Sequence, residues 1–220
     1  MSASPQSHSP AARLPLIAGL LLAGGRGSRF DPSGHSDKLM ARWRGLPLAS
    51  PAAQLLRSAC DPCLAILPPG KPELQALLER EGFDILVSEK VYDGLGASLA
   101  AGVDELVRRV APDAIVVALA DMPAIQRSSL LTLIDAWRGR GGHDTAAAPF
   151  FDGQRGHPVI FGSGLFGMLS ALTGDRGAGQ ALASSRLLAI EVDDPGVLRD
   201  VDTIEDLKRM DRPDGEPFPG

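Results

Sequence analysis

Residues 114–120 have the sequence AIVVALA, an unbroken apolar run that is followed directly by Asp121-Met122-Pro123. Its three consecutive β-branched residues favour an extended strand. No polar residue alternates with the apolar ones, which indicates a strand that is covered on both faces. Such strands are typical of parallel sheets that carry helices on each side.

Short apolar runs and helical patterns alternate through the rest of the chain. Strands are predicted at 16–22, 63–67, 85–87, 114–120, 145–149, 159–161 and 187–192, and helices at 48–58, 71–81, 96–109, 128–137, 177–184 and 203–210. This order predicts a single α/β domain over residues 14–211, with a mostly parallel, doubly wound sheet. Residues 1–13 and 212–220 are predicted to be a disordered N-terminal tail and a frayed C-terminal tail.

Composition argues against nucleic acid as a partner. The chain has 220 residues, a net charge of −5 and 5% aromatic residues, so neither a basic nor a base-stacking surface for nucleic acid is expected.

No apolar run reaches the ~20 residues that a membrane span requires. Arg13 and the following LPLIAGLLLAGG resemble a signal peptide, but a buried strand that leads into a functional loop explains them better. A cytoplasmic protein is expected.

Two cysteines occur in the tetrapeptide Cys60-Asp-Pro-Cys63. This spacing is found in redox dithiols and in halves of zinc sites, and it is also compatible with two semi-buried thiols at the start of a strand. No second pair follows, and the four histidines are scattered, which favours the semi-buried thiols. So few cysteines give no sign of a disulfide framework, in keeping with a reducing compartment.

The first predicted strand leads into LLAGGRGSRFDPSGHSDKL, residues 21–39. A dinucleotide fingerprint would need a third glycine where Phe30 stands, and no Gly-Lys-Ser/Thr of a Walker loop is present. What the segment does offer is a run of backbone amides from Gly24 to Ser28, with Arg26, Arg29 and Lys38 close by. Amides and cations together suit a triphosphate, and a surface turn with solvated charges is the alternative.

Carboxylates follow two of the later strands. Asp121 comes directly after the apolar run, and it is predicted either to bind Mg²⁺ together with phosphate oxygens or to cap the next helix. Asp200 and Asp202 lie near the C-terminus, with Asp193 and Asp194 just upstream, and any of them is a candidate second carboxylate for the metal. Asp202 is equally well placed to cap the last helix.

Three glycine-rich stretches complete the candidate site. GLGASLAAG (94–102) opens a helix with small residues that would let a base or a ribose lie against the backbone. GQRGHPVIF (153–161) and GDRGAG (174–179) are predicted to line the far half of the cleft, with surface turns as the alternative. His157 is interpreted as a packed, hydrogen-bonded histidine rather than as a catalytic base.

Taken together, these stretches resemble the MobA-like nucleotidyltransferases, and most of all the branch that activates molybdenum cofactor with CTP. The resemblance covers about residues 16–210. It rests on LLAGGRGSRF…DKLM, RGLPL, GLGASL, LADMP, GHPVIF, GDRGAG and DVDTIEDL, which occur in the family's order. It implies a Rossmann-like nucleotidyltransferase domain, an Mg²⁺-dependent reaction and the release of pyrophosphate.

The resemblance also implies roles for individual residues. Arg29 and Lys38 would contact phosphates at the reacting centre and Asp121 would hold Mg²⁺, with Asp200 or Asp202 less securely assigned to the metal. The residues implied in nucleotide binding are Leu22, Ala23, Gly24, Gly25, Arg26, Gly27, Ser28, Gly96 and Ser98. Those implied in acceptor binding are Gly156, His157, Gly174, Asp175 and Gly177.

The family's reaction would have a phosphate of the acceptor attack the α-phosphorus of CTP or GTP. LAGG in the first loop is closer to the guanylyl-transferring relatives, whereas GHPVIF and GDRGAG favour cytidylyl transfer. Molybdopterin is the acceptor that the resemblance implies, with a molybdoenzyme as a possible client. A sugar or polyol phosphate acceptor and a noncatalytic nucleotide- or cofactor-binding chaperone are the alternatives.

Overall fold

Two long apolar strands, Ile17–Leu22 and Ala114–Leu119, occupy the middle of the sheet. The computed structural model describes residues 13–25, 27, 29–31, 36–175 and 178–210. Its strands are β1 Ile17–Leu22, β2 Arg42–Trp43, β3 Leu46–Pro47, β4 Cys63–Leu67, β5 Asp84–Val87, β6 Ala114–Leu119, β7 Thr145–Phe151, β8 Gln154–Arg155, β9 Val159–Gly162 and β10 Arg186–Glu191. The main sheet has the order β10-β7-β9-β6-β1-β4-β5, with β8 paired to β7, and β2 and β3 form a separate hairpin.

The sheet is mostly parallel, as predicted. Strand β1 pairs in parallel with β4 and β6, β4 with β5, and β7 with β10. Strand β9 alone among the long strands runs the other way, antiparallel to both β6 and β7. The sequence pattern of β9 does not reveal this, because a short apolar strand looks the same in either direction.

The helices alternate with the strands. They are α1 Ala49–Arg57, α2 Pro72–Arg80, α3 Leu95–Val110, α4 Arg127–Arg140, α5 Phe166–Ser170, α6 Gly179–Ala183 and α7 Ile204–Met210. The predicted elements are present with small shifts at their ends, whereas α5, β8 and the β2–β3 hairpin were not predicted. No helix in the described part of the chain is long and apolar enough to cross a membrane.

Helices cover both faces of the sheet, which confirms the doubly wound fold. Side chains of α1, α2 and α4 pack on one face, and those of α3, α5 and α6 pack on the other. Successive residues of β1 alternate between the two cores. Both neighbouring helices approach β1 closely: a Cβ at Gly19 would lie 2.8 Å from Leu56 Cγ of α1, and one at Gly102 of α3 would lie 2.6 Å from Leu20 Cδ1.

The predicted semi-buried thiols are in fact fully buried. Cys60 and Cys63 are free cysteines, and Cys63 Sγ donates a hydrogen bond to the Cys60 carbonyl at 3.3 Å. The pKa of Cys63 is raised to about 11, and burial is the largest cause. A thiol of this kind has little thiolate at neutral pH and packs as a small apolar side chain.

Because all the long strands except β9 point the same way, their carboxyl ends share one edge of the sheet. The loops that follow β1, β6 and β10 therefore meet at that edge. Ligands of open α/β sheets bind in the crevice at this edge.

Candidate active site

Lys38 joins two carboxylates that come from distant parts of the chain. Its Nζ lies 2.7 Å from Asp121 Oδ2 and 3.3 Å from Asp202 Oδ1, and its side chain is only 12% exposed. Arg29 Nη1 lies 2.9 Å from Asp202 Oδ2, although 76% of the Arg29 side chain is exposed. The structure thus brings together four of the charged side chains that the sequence singled out.

Local structure explains how Lys38 reaches the carboxylates. Lys38 begins a short 3₁₀ helix, Lys38–Met40, which the Asp37 carboxylate caps by accepting the N–H of Leu39 at 3.0 Å. The two segments that contain the carboxylates are joined by a backbone hydrogen bond, in which the Val201 N–H donates to the Asp121 carbonyl at 3.0 Å. This bond sets Asp202 beside Asp121, so that both carboxylates face one ammonium.

A small apolar cluster holds the Arg29 end of the network. Phe30 and Trp43 are buried against Leu48 and Val201. Arg29 is next to Phe30 in the sequence and Asp202 is next to Val201, so packing of these two apolar neighbours brings the guanidinium and the carboxylate together. The β2–β3 hairpin, which contains Trp43, therefore belongs to the support of the site.

Neither candidate carboxylate is a helix cap. Helix α4 begins at Arg127 with Gln126 as its N-cap, six and five residues beyond Asp121. The prediction that Asp202 caps the last helix is also wrong. The Asp206 carboxylate accepts the N–H and the hydroxyl of Thr203 at 2.8 and 2.7 Å, and Thr203 Oγ1 accepts the Asp206 N–H, which is a reciprocal cap.

A third carboxylate lies beside these two. Partial burial raises the pKa of Asp200, and the neighbouring Asp202 carboxylate raises it further. In the described residues, no group of three or more His, Cys, Asp or Glu side chains is arranged to hold a metal ion by itself. Mg²⁺ commonly takes one or two carboxylates and completes its shell with phosphate oxygens and water. Asp121 and Asp202, which already converge on a cation, fit that mode of binding.

The glycine loop borders the carboxylates. A Cβ at Gly24 would lie 2.3 Å from Val91 Cγ1, and Gly25 and Gly27 have φ angles of +133° and +59°, which side chains disfavour. No hydrogen bond joins the N–H groups of these three glycines to another described residue. Arg26 and Ser28, which were also assigned to the nucleotide, lie outside the described residues.

One cleft of about 620 Å³ is lined by nine of the sixteen predicted site residues that the structure describes. Arg29, Asp121 and Asp202, which ion pairs join through Lys38, form what is here called its charged end. Tyr92 and Leu95, which flank Gly94 and so adjoin Asp175, form what is here called its apolar end. Its lining residues are Leu22, Gly24, Gly25, Arg29, Val91, Tyr92, Gly94, Leu95, Ser98, Leu119, Asp121, Asp175, Asp200 and Asp202. Lys38 and Ala23 line a smaller depression on the other side of the glycine loop, together with Gly27 and Lys71.

The start of α3 contacts a loop that was assigned to the acceptor. The Gly96 N–H donates to the Gly174 carbonyl at 2.9 Å, and the Ser98 hydroxyl donates to the Gly94 carbonyl at 3.0 Å. Asp175 faces the same cleft as Ser98. The predicted nucleotide and acceptor loops are therefore direct neighbours, while Gly177 lies outside the described residues.

Neither Gly156 nor His157 lines this cleft, although His157 is close enough to Asp121 for that carboxylate to oppose the lowering of its pKa. His157 lines an adjoining cavity of about 190 Å³, which shares Leu22, Leu95 and Leu119 with the cleft. Burial lowers the pKa of His157, and the positive charge of Arg155 lowers it further. Its backbone N–H donates to the Val197 carbonyl at 2.9 Å, and its buried Nδ1 has no hydrogen-bond partner in the described residues. The histidine is packed, as expected, but its side chain is incompletely hydrogen-bonded.

Sequence reasoning missed the apolar end of the cleft. Tyr92 and Leu95 line it, yet each is 42% exposed. Their sequence signal is weak: Leu95 lies within a stretch selected for its glycines, and Tyr92 lies two residues before that stretch. Exposed apolar side chains inside a cleft are suited to contact a flat, weakly polar group.

Comparison with known proteins identifies the family of the chain. Residues 19–190 match the model of the MobA-like NTP transferase domain, and no curated protein sequence gives a match. Among solved structures, Rv0371c from Mycobacterium tuberculosis H37Rv is 25% identical, with a TM-score of 0.74 over 90% of this chain and 98% of that one. Its complex with manganese is 26% identical, with a TM-score of 0.69 over 89% and 97% of the two chains.

A further solved structure shares the fold. It is a nucleotidyl transferase, Mth528, from a Methanothermobacter species, with 21% identity and a TM-score of 0.73 over 89% of this chain and 95% of that one. The family match spans most of the described domain, from the glycine of β1 to the last strand of the sheet. The chain is therefore a nucleotidyltransferase of the MobA-like NTP transferase family.

Proposed function

We propose that the protein transfers CMP, in preference to GMP, from the nucleoside triphosphate to the phosphate of molybdopterin, with release of pyrophosphate. The observation that carries the proposal is the Lys38 ammonium held between Asp121 and Asp202, next to a loop whose glycine amides donate no hydrogen bond to any residue that the structure describes. The blocks GHPVIF and GDRGAG support the choice of cytosine and of the acceptor. A molybdoenzyme is the proposed client of the product.

Charge neutralisation is the main task of such a site. A triphosphate and a phosphorylated acceptor are both anions, and they repel each other unless cations and N–H groups surround the reacting atoms. Lys38, Arg29 and the amides of Gly24 and Gly25 supply this environment. Preorganised donors of this kind are each worth about 100- to 1000-fold in rate.

Asp121 and Asp202 are the proposed ligands of a divalent ion, with Asp200 beside them. These carboxylates would hold the ion where its positive charge offsets the charge of the phosphates. The manganese complex of Rv0371c supports a divalent ion in this family. Lys38 contacts both carboxylates, so we expect its ammonium to move toward the phosphates when the ion binds.

The proposed reaction needs no general base. A phosphate oxygen of the acceptor forms the new bond to the α-phosphorus, and the bond from the α-phosphorus to the bridging oxygen of the β-phosphate breaks. Pyrophosphate leaves with that electron pair. The nucleophile is already ionised, so no proton has to be removed. Lys38 and Arg29 stabilise the charge on the leaving group, and the cleft holds the two substrates in line.

The position of the base follows from the polarity of the cleft. If the triphosphate lies at the charged end, the base lies near Tyr92, Leu95 and Ser98. The phenol ring of Tyr92 offers a stacking surface, and the small residues at the start of α3 allow close approach.

The test is pyrophosphate release with CTP, GTP, ATP or UTP, in the presence of Mg²⁺ or Mn²⁺. Each nucleotide is assayed with molybdopterin, with a sugar phosphate and without an acceptor. We expect release that depends on molybdopterin and is fastest with CTP. Asp121→Asn should reduce it about 100-fold or more, as expected for loss of an electrostatic group at the reacting centre.

The matched control is Asp104→Asn, which makes the same chemical change on the exposed face of α3. It should leave the rate unchanged. Release that depends on a sugar phosphate instead would reject the proposed acceptor. Nucleotide binding with no turnover under any acceptor would reject the enzymatic proposal and favour a binding protein.

A further inference from the structure

Asp194 is a buried carboxylate that lies outside the cleft. It is 1% exposed. Its Oδ2 accepts the Gln126 N–H at 2.8 Å and the Ser129 hydroxyl at 2.7 Å, and its Oδ1 accepts the Gly196 N–H at 2.9 Å. Because its oxygens are engaged in this way, the expectation that Asp194 supplies a ligand to the metal does not fit the structure.

The three donors come from two segments that each lead to a candidate metal ligand. Gln126 and Ser129 belong to the start of α4, at the end of the loop that contains Asp121. Gly196 belongs to the short 3₁₀ helix Pro195–Leu198, which precedes Asp202. One carboxylate therefore fastens the loop after β6 to the loop after β10.

The two loops that Asp194 joins, here called the junction, pack so closely that neither can be displaced without a clash. A Cβ at Gly196 would lie 2.2 Å from the Ala124 carbonyl oxygen, so the two segments touch backbone to backbone. A Cβ at Gly156 would lie 2.4 Å from the Val197 carbonyl oxygen, which also accepts the His157 N–H at 2.9 Å. The turn that Asp194 begins thus also supports the loop of Gly156 and His157.

The junction ends at the candidate metal ligands. The Val201 N–H donates to the Asp121 carbonyl at 3.0 Å. Val201 lies five residues after Gly196, and Asp121 lies five residues before Gln126. A shift of either segment at Asp194 would change the distance between the carboxylates of Asp121 and Asp202. Carboxylates that bind one ion tolerate little change in their spacing.

We propose that Asp194 is a positioning residue that sets the spacing of Asp121 and Asp202. It controls the affinity of the site for the divalent ion and the rate of the chemical step without touching either substrate. This inference rests on the function proposed above. It goes beyond that function because it assigns a role to a carboxylate that neither the metal nor the substrates reach.

The experiment compares Asp194→Asn with wild type in the full-length protein. Asparagine keeps the size of the side chain, but its N–H₂ group faces an N–H or O–H donor and cannot accept a hydrogen bond from it. The readouts are the Mn²⁺ concentration for half-maximal activity, Mn²⁺ binding by electron paramagnetic resonance in the presence of CTP, and kcat and KM for CTP. We expect Mn²⁺ affinity and kcat to fall about 10- to 100-fold, with KM for CTP little changed.

Two further variants separate positioning from folding. Ser129→Ala removes one of the three bonds and should shift the Mn²⁺ dependence in the same direction by a smaller factor, while Ser129→Thr, which keeps the hydroxyl, should restore it. Asp135→Asn, on the exposed face of the same helix, should have no effect. These comparisons remain available if Asp194→Asn does not fold.

The outcomes are distinct. Wild-type Mn²⁺ affinity and kcat in folded Asp194→Asn and in Ser129→Ala, whatever their melting temperatures, would show that Asp194 only stabilises the fold and would overturn the inference. Absence of Mn²⁺ and CTP binding in wild type itself would overturn the proposed function and the inference with it. Turnover by wild type with an unchanged Mn²⁺ dependence in the variants would overturn the inference alone.

Discussion

At the scale of single residues, Lys38 balances two carboxylates. Without its ammonium, Asp121 and Asp202 would face each other with only Arg29, which is paired with Asp202, to offset their charges. Lys38→Met should therefore lower the melting temperature in the absence of metal by about 2–4 °C, which corresponds to a loss of about 1 kcal/mol for a chain of this size. Mn²⁺ should raise the melting temperature of the variant more than that of wild type, since the ion takes over the balancing charge.

Thermal unfolding with and without Mn²⁺ measures this effect, and pyrophosphate release measures the expected loss of activity of about 100- to 1000-fold. Lys208→Met, on the exposed face of α7, is the control and should behave as wild type. A variant that keeps its activity would show that Lys38 has no part in the reaction.

The two cysteines should be inert in the folded protein. Both thiols are buried, and burial is the first cause that raises their pKa values, that of Cys63 to about 11. Because the thiolate is the reactive form, a maleimide should label neither residue at neutral pH and should label both after unfolding in guanidinium. Mass spectrometry counts the labels. Rapid labelling of the native protein would contradict the burial and reopen the interpretation of Cys60-Asp-Pro-Cys63 as a redox pair.

At the residue scale, the charged groups of the site are more predictable from sequence than their supports. Asp121 is conspicuous because a charged residue directly after an apolar strand has few structural reasons to be there. Arg29 and Lys38 are conspicuous because they accompany a glycine-rich loop. Asp194 looks equally suited to bind a metal. Only its burial and its bonds to residues 65 and 68 positions away reveal a different role. Such contacts depend on the folded chain and leave no local pattern.

At the scale of elements, α3 depends on a glycine where it crosses β1. A Cβ at Gly102 would lie 2.6 Å from Leu20 Cδ1, and both residues are buried in the same core. Gly102→Ala should destabilise the protein by about 1–3 kcal/mol, because the added methyl group overpacks this contact. The control is Gly139→Ala in α4, where a Cβ would meet nothing within 4 Å. That change should stabilise the protein by up to about 1 kcal/mol.

Chemical denaturation of both variants measures these free energies of unfolding. Equal and favourable effects at the two positions would show that α3 does not approach β1 as closely as described. A large loss at Gly139 would contradict the open surface around it.

Helix α3 also carries a pH-dependent contribution to stability. Hydrogen bonds from Arg108, and then from Arg109, lower the pKa of Glu105 from 4.5 to about 2. A lowered carboxyl pKa stabilises the fold fully above the unfolded value, and this stabilisation is lost as the pH falls through the folded value. Glu105→Gln should lower the melting temperature at neutral pH, and the difference from wild type should shrink between pH 4.5 and pH 2.

Melting curves over this pH range at low salt provide the measurement, and added salt should reduce the difference because the pairs are exposed. Glu191→Gln, at the exposed end of β10, is the control. A difference that grows as the pH falls would have the wrong sign for a carboxyl with a lowered pKa.

Element prediction succeeded where the apolar pattern was long. Strands β1 and β6 are buried on both faces and were recognised as continuous apolar runs. The two-residue strands β2, β3 and β8 are too short to show a period, and the direction of β9 depends on its neighbours in the sheet. The missed β2–β3 hairpin matters for function, since its Trp43 packs in the cluster that places Arg29 beside Asp202.

At the scale of the whole molecule, the fold places five sequence-distant segments around one cleft. The loops after β1, β6 and β10 and the turn at Asp175 supply charge, and residues 91–98 supply small and apolar side chains. The meeting of these loops at one edge could be anticipated from the βα alternation, because parallel strands present their carboxyl ends on one edge. The separation of the cleft from the cavity of His157 could not be anticipated from the sequence, since it depends on how α6 and β9 pack.

If the cleft transfers a nucleoside monophosphate and not a phosphate, the two ends of the nucleotide must go to different products. An isotope experiment follows the label from [α-³²P]CTP and, separately, from [γ-³²P]CTP in the presence of molybdopterin and a divalent ion. We expect the α-label in the acceptor product and the γ-label in pyrophosphate. Transfer of the γ-label to the acceptor, or release of inorganic phosphate alone, would contradict this expectation.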